Sequence, residues 1–133
     1  MQRDVGDIID RWSIAKLKVE RIGTQSTLEE YTAFQTEYES ILKAVPSVEE
    51  YAKIILDINS FIWQLEAGLK GGKDGLPNQN YLGDPVNKEQ LARIGETTIL
   101  IRNFNHLRVK IKNLINKNAG TGFQDIKQDH LSS

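Results

Sequence analysis

The chain has 133 residues, is 39% hydrophobic, carries 17 Lys and Arg against 18 Asp and Glu, and contains no cysteine. That length fits one globular domain with a real core, the near-neutral charge argues against a dedicated nucleic-acid binder, and disulfides, thiolate metal ligands and cysteine nucleophiles are excluded. No apolar run of about 18 residues exists to cross a bilayer, and the opening MQRDVGDIID lacks the order of a signal peptide, so a cytoplasmic protein is expected.

Helical periodicity starts at once. Val5, Ile8, Trp12, Ala15, Val19 and Ile22 recur every three or four residues, which predicts a helix from Asp4 to Ile22 with Asp4 as its N-cap. Ile14 and Leu17, lying between Asp10 and Arg21, add a second stripe that calls for a second neighbour. Ser26 and Glu29 form a capping box ahead of Leu28, Tyr31, Phe34, Tyr38, Ile41 and Val45, and Pro46 stops that helix. Ser47 and Glu50 repeat the device for a third helix through Val48, Tyr51, Ile55, Ile58, Ile62, Leu65 and Leu69, ended by Gly71 and Gly72.

The stretch KGGKDGLPNQNYLGDP reads as a long loop anchored at Tyr81, with a surface excursion outweighing a lid. The last helix is predicted from Asn87 to Asn116, with Leu91, Ile94, Ile101, Phe104, Ile111 and Leu114 inward and a soft point at Gly95, Thr97 and Thr98. At about 1.5 Å per residue it spans roughly 45 Å, against roughly 28 Å for each of the first two helices. The expected architecture is an all-α, four-helix antiparallel bundle over residues 1–118 with a polar tail at 119–133. The overhanging last helix and the second stripe of the first predict a homodimer joining those two helices; a bent last helix folding back over its own chain is the alternative.

Charge is uneven along the chain. Between Ser26 and Glu66 eight acids stand against two lysines, whereas Lys88 to Lys117 holds seven basic residues and two acids, so these segments are expected to pack together. A basic strip for phosphate backbones is disfavoured because no exposed aromatics accompany it.

Polar residues also interrupt the apolar faces: Asp10, Lys18 and Arg21; Asn59 and Glu66; Asn105, Arg108 and Lys112. An unmatched buried amide or charge costs roughly 1 to 3 kcal/mol or more, so these groups either satisfy one another or meet a ligand. The strings GDIIDRWSIAKLKVERI, INSFIWQLE and NHLRVKIKNLIN together resemble a family of small bacterial all-α proteins of unknown function. By that resemblance Asp10, Ser13, Lys18, Glu20 and Arg21 occupy one motif, Asn59, Trp63 and Glu66 a second, and Asn105, Arg108, Lys112 and Asn116 a third. It implies a helical fold and a shared polar constellation, with no established activity. The family usually has Asp where this chain has His106, which speaks against a metal ion there.

Spacings of three and four place these residues along three lines able to converge on a groove, where Lys18, Arg21, Arg108 and Lys112 outnumber the two acids and Trp63 can stack on a ring. A small phosphate- or carboxylate-bearing ligand suits that excess. The competing reading, which we favour, pairs Asp10 and Glu66 with Arg108 and Arg21, uses Asn59 and Asn105 to fix helix register, and leaves Trp63 in the core. His106 has no nucleophile or second base placed with it, and no phosphate loop, hydrolase elbow or histidine–acid metal motif occurs. Glu29, Glu30, Glu49, Glu50 and Asp57 invite comparison with all-α pyrophosphatases, but a solvated acidic face explains them better. The expectation is an interaction or assembly module with no catalysis and no cofactor or metal; a binding protein or enzyme for a small anion is the alternative.

Overall fold

Four α-helices make up the described residues, 4–71 and 88–120, of a computed structural model: α1 (Val5–Arg21), α2 (Gln25–Ala44), α3 (Val48–Gly71) and α4 (Lys88–Ala119). No strand occurs among them, and no helix is long and apolar enough to cross a membrane. The expected loop at 70–85 and the tail at 119–133 fall mostly outside the described residues.

Local chemistry sets the helix ends. Asp4 caps α1 as expected, its Oδ1 accepting from the Asp7 amide at 2.8 Å. Asp7 in the first turn and Lys18 and Arg21 in the last complement the helix dipole. Gly23, at φ +72°, lets the chain leave the helix while the Ile22 and Gly23 amides both donate to the Lys18 carbonyl. The cap of α2 lies two residues earlier than expected. Thr24 accepts from the Thr27 amide at 3.2 Å, so Ser26 lies inside the helix. Thr24 has the same capping chemistry and is met first after the glycine turn. Ser47, expected to cap α3, accepts from Asn118 Nδ2 at 2.8 Å and so ties the α2–α3 corner to the end of α4. The predicted soft point in α4 stays helical, with the Thr97 and Thr98 hydroxyls donating to the Arg93 and Ile94 carbonyls at 2.9 Å.

α1 packs against all three other helices, and α3 packs against α4. This explains why its buried set departs from the predicted seam. Val5, Trp12 and Ala15 are buried as expected, but so are Gly6, Ile9, Asp10, Ser13 and Leu17, while Ile22 is exposed beyond the helix end. Of the second stripe, Leu17 is buried within the chain and Ile14 is half-buried. Along α3 the core holds Val48, Ala52, Ile55, Ile58 and Ile62, and α4 adds Ile111 and Ile115. The last buried apolar residue of α4 is Ile115, with half-buried Ala119 packed against the core beyond it. Leu114, expected inward, is exposed, as is Leu91.

α2 contributes one buried residue, Tyr38, whose ring stacks on Trp12 with centroids 3.9 Å apart. Gln35 Oε1 accepts from both Trp12 Nε1 at 2.7 Å and Tyr31 OH at 3.0 Å, pinning α2 to α1. Burial, reinforced by Glu49 and then Tyr31, raises the Tyr38 pKa above the usual 10.0. The folded state then holds that proton more tightly than the unfolded chain. The resulting stabilisation is complete below pH 10.0 and is lost as pH climbs through the raised value. Urea unfolding of wild type and Tyr38→Phe at neutral pH and above pH 10 should give similar midpoints at the first and a relative advantage for Phe at the second; parallel behaviour at both would contradict this.

Candidate functional site

Three helices bring polar side chains to one place beside the core. Asn59 of α3 is its centre. Its Nδ2 donates to Asp10 Oδ1 at 2.9 Å and to Ser13 Oγ at 2.7 Å, and Ser13 Oγ donates to the Asp10 carbonyl at 2.7 Å. Asp10, Ser13 and Asn59 are all buried, so these short bonds replace water that would otherwise be lost.

Cations arrive from α4. Arg108 and Lys112, one turn apart, place Nε and Nζ each 3.9 Å from an Asp10 carboxylate oxygen. Lys112 Nζ also donates to Asp7 Oδ1 at 3.3 Å, and Arg108 Nη1 reaches Asn59 Oδ1 at 3.5 Å. Both distances are long, so charge attraction rather than close hydrogen bonding holds these cations. The guanidinium Nε is buried and makes no hydrogen bond.

One turn further, Asn116 is buried and clamps the start of α1. Its Oδ1 accepts from the Gly6 amide and its Nδ2 donates to Asp4 Oδ1, each at 2.8 Å. The Gly6 amide belongs to the first turn of α1, where no helical carbonyl is in reach, so Asn116 supplies the missing acceptor. Gly6 permits the approach, since a Cβ there would lie 2.5 Å from the Lys112 carbonyl oxygen.

Of the residues expected to form a site, Asp10, Asn59, Arg108 and Lys112 meet here. Asn105 is half-buried one turn before Arg108. The remainder lie elsewhere. Lys18 turns toward α2 and pairs with Glu30 at 3.3 Å, in a half-exposed bridge worth little. Arg21 donates to Ser60 Oγ at 2.8 Å and lies 5.5 Å from the centroid of Trp63, a cation–π contact at the far end of α1. Glu66 is exposed and pairs with neither Arg21 nor Arg108.

Asp7 and Gly6 were not anticipated, nor was the role of Asn116 in binding Asp4 and Gly6 at the start of α1. Asp7 stands one turn before Asp10 and Asn116 one turn after Lys112, so helical spacing carried a signal. With Arg11 bound to Asp7 at 2.8 Å, the assembled charges are Asp4, Asp7 and Asp10 against Arg11, Arg108 and Lys112. The acids of α1, rather than those of α3, receive Arg108 and Lys112.

The described residues contain no group of three or more His, Asp and Glu able to hold a metal ion. No protein-family model, curated protein or solved structure matches this chain.

Proposed function

We propose that the chain is a non-catalytic helical interaction and assembly module, cytoplasmic and homodimeric, whose polar cluster is its internal scaffold. The carrying observation is the Asn59 amide. Both protons of Nδ2 and the oxygen Oδ1 are directed at Asp10, Ser13 and Arg108, so the central group of the cluster is occupied by its own chain. Balanced charges support the same reading, because an anion site would keep cations in excess. An alternating up-and-down order of helices is supported by the contact sequence. Trp12 meets Tyr38 while Lys18 meets Glu30; Asn59 meets Arg108 while Phe61 meets Phe104.

A second reading, a small anionic ligand at Arg108, draws on the buried Nε that lacks a hydrogen bond and on a side chain left 30% exposed. Thermal melts separate the two. A scaffold predicts that Asn59→Ala loses about 2 kcal/mol, or roughly 6 to 8 °C, since a buried carboxylate and hydroxyl lose their donor. An unchanged or higher Tm for Asn59→Ala, together with a phosphate-induced rise in wild type that Arg108→Ala abolishes, would favour the ligand.

A further inference from the structure

We propose that a second copy of this chain docks on the outer face of the α3–α4 pair, with the two-fold axis along the helices. Five of the nine large hydrophobic residues left exposed among the described residues share that face: Ile54 and Phe61 on α3, and Leu100, Leu107 and Leu114 on α4. Each is between 41% and 49% exposed. On both helices they recur every seven residues, the spacing of a seam between helices.

Helical geometry fixes where these stripes point. At about 100° per residue, the leucines lie roughly 140° around α4 from Arg108, Lys112 and Asn116, which face α1. Ile54 and Phe61 lie roughly 160° around α3 from Asn59, Ser60 and Trp63, which also face α1. The stripes adjoin because Phe61 stacks on Phe104 at 5.6 Å. They therefore form one apolar strip turned away from α1, and patches of that kind mark association surfaces.

Charge selects the occupant and its orientation. The α3 edge of the strip carries exposed Glu50 and Asp57, and the α4 edge carries exposed Lys110 and Lys117. Counting from the Phe61–Phe104 contact, with the helices running oppositely, Asp57 stands at the height of Arg108 and Glu50 at that of Ile115. A two-fold axis along the helices lays the α3 edge of each copy over the α4 edge of the other at equal height. Asp57 then faces Lys110 and Glu50 faces Lys117, twice over. A two-fold across the helices would set acid over acid and lysine over lysine. The surface is thus self-complementary in one orientation only.

This deepens the assembly-module reading and rests on it. Sedimentation equilibrium of the full chain should show a dimer, and Leu107→Lys should weaken it at least about tenfold while leaving helicity unchanged, because Leu107 belongs to neither the core nor the polar cluster. Asp57→Lys and Lys110→Asp should each weaken it similarly, and the two together should restore it to within about threefold of wild type. A monomer at about 100 μM, a dimer indifferent to Leu107→Lys, or a double variant no tighter than the singles would overturn the inference. A monomer whose strip is covered by its own residues 121–133 is among the overturning outcomes. If Asn59→Ala still lowers Tm in that case, docking fails alone and the scaffold stands.

Discussion

Asp10→Ala is expected to lower stability by about 3 kcal/mol, roughly 10 °C in Tm for a chain of this size. The carboxylate is buried, accepts from Asn59 and stands opposite both Arg108 and Lys112. Removing it leaves one of the two Asn59 amide protons without an acceptor and two cations without their shared counter-charge. Breaking a buried ion pair costs roughly 3 to 5 kcal/mol, and the lower end applies because Arg108 and Lys112 keep 30% and 15% of their side-chain surface in water. Asp10→Asn should fall between, keeping shape and an acceptor oxygen while losing the charge. The double variant Asp10→Ala with Asn59→Ala should cost less than the sum of the singles by about 1 kcal/mol, since both remove one hydrogen bond. A Tm for Asp10→Ala within about 2 °C of wild type would show that the cluster carries no structural energy.

The second large effect turns on two glycines whose replacement by alanine should have opposite signs. At Gly95 a Cβ meets nothing within 4 Å, so alanine should add roughly 0.5 to 1 kcal/mol through helix propensity alone. At Gly6 the same methyl would sit 2.5 Å from a backbone carbonyl that cannot swing aside as a side chain would. α1 and α4 must separate locally, which stretches the bond from the Gly6 amide to Asn116 and the Lys112 contacts with Asp7 and Asp10. Overpacking of this kind costs roughly 1 to 3 kcal/mol, with a loosened hydrogen bond adding about 1, and the propensity gain offsets only part of it. A net loss of about 2 kcal/mol is expected. Equal gains at both positions, measured by chemical unfolding, would mean that the close crossing is not formed in solution.

These outcomes concern contacts that the chain order conceals. The face shared by Asp10 and Arg21 was legible from spacing, yet the two residues stand eleven positions, or about 16 Å, apart along α1. Arg21 consequently meets Ser60 and Trp63, and Arg108 is left to Asp10. Lys18 was placed with the motif residues, but about 80° of helical rotation from Asp10 carries it toward α2 and Glu30. Sharing a face constrains direction without fixing height or neighbour.

What the linear chain determined is what physical forces within a few residues determine: helices at three- and four-residue periodicity, the Asp4 cap, and the stops at Gly23 and Pro46. Folding in three dimensions decided the rest. The Asn59 amide finds Asp10 across 49 positions, and the Gly6 amide finds Asn116 across 110. Which polar groups become partners depends on how helices pack and at what height they cross. Those quantities follow from the whole apolar surface seeking burial at once, so they are written in no single segment.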